Sequence, residues 1–196
     1  MKVEKSNLKS SIPENAKKVF AGNIFDVYQW EQEMFDGSVE TFEKLKRPDT
    51  ANILAFTDDG KIIVIDEQQP GKETFFGLPG GRIEEGEEPA LGAKRELLEE
   101  TGYACESIEL WHSVQLIHKI DWTIYFFVAK GCKKVAEQKL DVGEKIEVKL
   151  IELEEFLEML FSQKMKSSEL IMKFFKDDLI VIDKEKTFEK IRNHFV

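Results

Sequence analysis

The chain has 196 residues, 42% of them hydrophobic and 11% aromatic, and carries a formal net charge of −10. That length suits one domain and that composition supplies a sizeable core, which excludes a disordered acidic tail. The acidic balance argues against nucleic acid as a partner, since such binders carry a basic stripe, and no apolar run is long enough to cross a bilayer.

The opening MKVEKSNLKSS is polar and does not read as a signal peptide. Residues 18–35 are rich in β-branched and aromatic side chains; the turn FDGS follows, and 39–45 reads as a returning strand. Two β-rich runs, 52–56 and 61–66, are separated by TDDG and are expected to form a hairpin. Further strands are expected at 107–114, 122–129 and 145–151. Helices are expected at 89–101, 154–161, 168–175 and 187–195; the first has Pro89 in its opening turn and Gly102 just past its end, the asymmetry of helix termini. Strands, a helix, strands and then helices make an α+β arrangement. Cys105 and Cys132 lack metal-binding spacing and are expected as free thiols in a reducing compartment, the cytoplasm.

The chemistry concentrates in GGRIEEGEEPALGAKRELLEETGY, residues 80–103. At about 100° per residue, Glu96, Glu99 and Glu100 share one helix face, with Leu91 and Leu98 expected to point toward a core. Gly92 and Ala93, one turn earlier, are expected to leave open space beside the carboxylates. No lysine on that face neutralises them, and like charges at this spacing repel. The stretch is therefore either a solvated acidic face or a site for a hard divalent cation, which takes oxygen ligands.

Gly81, Glu87, Arg95, Glu96, Glu99, Glu100 and Gly102 stand at the spacing G-x5-E-x7-R-E-U-x-E-E-x-G-U, which resembles the Nudix box; the departure is Tyr103, where the family carries an aliphatic residue. The resemblance implies an α/β/α sandwich of mixed sheet and helices, and metal-assisted hydrolysis of a nucleoside diphosphate linked to another moiety. It implies Mg2+ or Mn2+ as cofactor, held by Glu96, Glu99 and Glu100 with the Gly80 carbonyl as a further ligand. Glu87 and Arg95 would tie the loop to the helix, a structural role shared by Gly81 and Gly102.

Outside the box the chain is similar to the ADP-ribose and nucleotide-sugar pyrophosphatase branch. That similarity divides it into an N-terminal β region (1–48) that dimerises, a Nudix domain (49–176) and a helical extension (177–196). It implies an acidic loop supplying a proton acceptor, with Asp141 and Glu144 as candidates and Glu147 third. It also implies an aromatic stacking on adenine, where Tyr28 and Trp30 stand, although an aromatic in a strand is more often core or dimer interface. Where relatives carry an Arg toward the diphosphate, this chain has Pro70 or its neighbours; Lys72, Lys46 and Arg47 are candidates to replace its charge. His112 and His118 are weaker site candidates. Two rival activities stay open: hydrolysis of nucleoside triphosphates, and a non-catalytic binding module, disfavoured because every box carboxylate is present.

Overall fold

The structure, a computed structural model, describes residues 12–165, 167–181 and 183–195; the polar opening lies outside them. Two sheets form. The first orders its strands β1-β2-β3-β9, from β1 (Lys17–Ala21), β2 (Asp26–Glu33), β3 (Val39–Lys46) and β9 (Ile120–Asp121). The β-rich stretch 18–35 forms two strands, separated at residues 22–25. The short β9 runs parallel to β3, so strand pairing crosses the boundary expected at residue 48.

The second sheet follows β11-β5-β4-β10-β7, from β4 (Thr50–Thr57), β5 (Ile62–Gln68), β7 (Tyr103–Ala104), β10 (Ile124–Lys134) and β11 (Lys145–Ile151). β6 (Phe75–Gly77) pairs with β5, and β8 (Ser107–Val114) with β10. Its centre is apolar on both faces, as burial between two layers requires. Ile53, Ile63, Tyr125 and Phe127 point to one face, where α1 (Pro89–Thr101) packs through Ala93 and Leu97. Leu54, Phe56, Val64 and Phe126 point to the other, covered by α2 (Leu153–Phe161), α3 (Ser168–Lys176) and α4 (Lys184–Phe195). The class is α+β, as expected. Cys105 and Cys132 are free.

The expected core face of α1 needs correction. Leu91 and Leu98 are 59% and 37% exposed, whereas Leu97 is fully buried. The sheet lies under the 93/97/100 stripe, so the helix turns a carboxylate and a leucine inward together. Gly92 leaves no open space either: a Cβ there would stand 2.8 Å from the Glu87 carboxylate and 2.9 Å from Ile83, and Ala93 is in the core.

α4 begins three residues earlier than its sequence pattern suggests and is part of the core. Phe195 is 3% exposed and packs on Phe56, Phe174 and, edge-on, Trp111. Phe195→Ala is expected to destabilise the protein by about 3–5 kcal/mol, read as a shift in the denaturant midpoint at unchanged slope.

Candidate active site

α1 starts on Glu88, whose carboxylate accepts from the Leu91 N–H at 3.1 Å, and stops at Gly102, which adopts φ +75° and donates to the Leu98 carbonyl. Between those ends Arg95 organises the acidic face. Its Nε and Nη2 donate to the two oxygens of Glu87 at 3.1 and 3.0 Å, and its Nη1 donates to Glu96 and Glu99 at 2.8 and 2.9 Å. Nη2 also reaches the Arg82 carbonyl. Charge-assisted bonds of this kind pin the 82–87 loop to the helix and hold Glu87 below the usual carboxylate range. The repulsion that the sequence suggested is therefore offset by an arginine.

Glu100 has no such partner. It is 8% exposed and accepts one hydrogen bond, from the Gly80 N–H at 2.7 Å. Burial pushes its carboxyl up to about 9, with Glu96, Glu144 and Glu67 adding to the rise and the Gly80 N–H opposing it. Glu96 and Glu144 are also raised, chiefly by burial. Gly80 holds its place because φ is +152° and a Cβ would overlap the Ala51 carbonyl. At Gly81 a Cβ would stand 2.5 Å from a Glu96 oxygen, so the missing side chain is the seat of that carboxylate.

The donor set fits a hard divalent cation: the carboxylates of Glu96, Glu99 and Glu100, the last of them buried, beside a glycine backbone, all oxygen donors. Among the described residues no three acidic, His or Cys side chains stand arranged to hold a metal ion. Glu96 and Glu99 are turned onto Arg95 and Glu100 onto Gly80, and these are the carboxylates that would hold the cation.

In the acidic loop the two candidates separate. Glu144 is half-buried and electrostatically coupled to Glu96 and Glu100. Asp141 and Glu147 are exposed, Asp141 touching Glu144 through its backbone. Sequence reasoning missed Glu67, a buried carboxylate in β5. Its signal was available: with a period of two, Glu67 shares a face with Ile63, the face that α1 covers. Gln69 donates to it, and Lys72 donates to Gln69.

Of the expected substrate-binding residues, only Tyr28 and Arg47 are brought together. Tyr28 and Arg47 line a cavity of about 540 Å³ between the N-terminal sheet and the box loop, with Lys18, Lys46 and Asp49. Arg47 lies over Trp122 at 4.4 Å and near Phe25 at 5.7 Å, and its buried Nε has no hydrogen-bond partner among the described residues. Lys72 lines a second recess, of about 370 Å³, with Glu144. Trp30 lines neither and packs on Phe42. His112 lies over Phe126, and burial together with Lys173 lowers it; that places it on the α3 side of the sheet, away from Glu100.

A mixed sheet between helices, with an arginine-clamped glutamate helix set against a glycine turn, defines a Nudix hydrolase. The NUDIX domain family profile matches residues 46–174, and the chain belongs to that family as a pyrophosphohydrolase. It is 32% identical over 150 residues to "ADP-ribose pyrophosphatase" of Bacillus subtilis (strain 168), covering 75% of this chain and 81% of the relative. It is 28% identical to the "Methanol dehydrogenase activator" of Bacillus methanolicus, over 80% of this chain and 86% of that one. Among solved structures, that of an "ADP compounds hydrolase" superposes with a TM-score of 0.64 at 19% identity, covering 89% of this chain and 98% of the other.

Proposed function

We propose that the enzyme hydrolyses the diphosphate of ADP-ribose or a related nucleotide sugar, with Mg2+ or Mn2+ as cofactor. The observation that supports this reading is the acidic face of α1 set against the arginine-clamped box loop, where the buried Glu100 feels the charge of Glu96, Glu144 and Glu67. Glu96, Glu99, Glu100 and the Gly80 carbonyl would hold a divalent cation, which would supply charge neutralisation at the diphosphate and a more acidic water. Glu144, ionised in that setting, accepts the proton of the attacking water. Gly80 and Arg95 keep the α1 carboxylates in place. Arg47, whose guanidinium lies over Trp122, lines the cavity and offers positive charge to an anionic group of the substrate, Tyr28 offers a ring, and Lys72 beside Glu144 takes the place of the missing arginine. The relative of Bacillus subtilis, by its name, acts on ADP-ribose, which favours that substrate over a triphosphate.

On the same reading the N-terminal sheet is a homodimer surface: β1 is exposed throughout, and Val19, Phe20 and Val39 are 53–59% exposed. A reducing, cytoplasmic setting suits the two free thiols. The test is product analysis with magnesium on ADP-ribose, ADP- and UDP-sugars, ATP and dinucleoside polyphosphates. AMP and ribose 5-phosphate from ADP-ribose are expected; turnover of triphosphates alone, with release of pyrophosphate, would replace this reading with the rival one.

A further inference from the structure

The last turn of a helix leaves carbonyls that no helical N–H reaches. In α1 those carbonyls belong to the residues that bear the site, and one strap of chain serves them. The N–H groups of Val135 and Ala136 donate to the Gly102 carbonyl at 2.9 and 3.1 Å, and the Lys139 N–H donates to the Glu99 carbonyl at 2.8 Å. Gly102 admits the strap because a Cβ there would overlap the Ala136 carbonyl oxygen. One side chain completes the set: Gln138 Nε2 donates to the Glu100 carbonyl at 2.6 Å and to the Ile146 carbonyl, at the start of β11, at 3.2 Å. Gln138 thus bridges the backbone of Glu100 to a point two residues from Glu144.

We propose that Gln138 is a positioning residue, which sets the separation between the α1 carboxylates and Glu144 through these two hydrogen bonds. The proposal rests on Glu144 as the proton acceptor. The chain from Lys139 to Glu144 holds an exposed turn at 141–143, and such a turn does not by itself hold a carboxylate in register. The amide supplies that register by tying both flanks of the loop to one fixed point. Its effect therefore passes through Glu144 and vanishes when Glu144 has no charge to position.

The experiment is a double-mutant cycle of Gln138→Met and Glu144→Gln in the full-length, magnesium-loaded enzyme, with kcat and KM for ADP-ribose and a melting curve for each protein. Gln138→Met is expected to lower kcat about ten- to hundredfold, as a displacement of about 1 Å does, with KM within about twofold. Glu144→Gln is expected to lower kcat at least about hundredfold, and the double variant to match Glu144→Gln alone. Gln138→Asn keeps the amide but shortens its reach by one methylene; it is expected to melt near the parent and still to lose kcat, which tests the proposal even where Gln138→Met folds poorly. An equal loss from Gln138→Met in both backgrounds, or an unchanged kcat in Gln138→Asn, overturns the proposal while leaving the assignment of Glu144 standing. Full activity in Glu144→Gln alone overturns that assignment, and the proposal with it.

Discussion

Glu100→Gln is expected to lower kcat by about 10³-fold with little change in the fold. The amide is nearly isosteric, and its oxygen still accepts from the Gly80 N–H that now meets the carboxylate at 2.7 Å. What it loses is the charge of a carboxylate that is only 8% exposed. Glu99→Gln is expected to cost less, because Glu99 is about two-fifths exposed and shares Arg95 with Glu96. Steady-state kinetics over a magnesium titration checks this. Glu100→Gln turnover within tenfold of the parent at saturating metal would mean that Glu100 has no place in the reaction.

The second large effect is on stability, and its sign follows from the same carboxylate. Burial raises the folded-state Glu100 carboxyl to about 9, against about 4.5 for an ordinary glutamate. In metal-free protein, folded Glu100 keeps a proton that the unfolded chain gives up above about pH 4.5. Stability is then full below that pH and is lost progressively as pH rises toward about 9, by an amount on the order of several kcal/mol. Glu96 and Glu144, raised in the same direction, add to the loss. Glu87, lowered by Arg95, acts the other way, its contribution being lost as pH falls. Melting in EDTA is therefore expected to weaken steeply between pH 5 and pH 9. Magnesium should flatten the slope by offering the ionised carboxylates a partner, and Glu100→Gln should flatten it without metal. A metal-free melting point that holds constant over that range would contradict the burial of a Glu100 that has no cationic partner.

These two expectations use residues whose roles came from different sources. That Glu96, Glu99 and Glu100 lie on one helical face follows from a period of 3.6 residues, and their chemistry from the spacing of the box around them. How deep each one sits does not follow. A helix with Leu91, Leu97, Leu98 and three glutamates offers several stripes to a sheet, and hydrophobicity alone favoured the pair Leu91 and Leu98. The sheet chose the stripe of Ala93, Leu97 and Glu100 instead, because a close-packed seat takes small residues at Gly92 and Ala93, and because Arg95 had to face the box loop. The cation that offsets the acidic crowding was in the sequence as a box residue; that it serves Glu87, Glu96 and Glu99 at once is a fact of three dimensions.

The sequence by itself determined the family, the order of the four helices and of the longer strands, and which glutamates share a helix face, because each of these depends on local period or fixed spacing; the short strands β6, β7 and β9 were not legible in it. Only the tertiary structure decided that Glu67 from β5 and Glu144 from the acidic loop join Glu100, that Tyr28 and Arg47 share a cavity while Trp30 and Lys72 stand apart, and that Gln138 bridges helix to loop. Those groups are separated by tens of residues along the chain. Their meeting is set by strand register and by which face of each element is buried, quantities that depend on the whole sheet and not on any one segment.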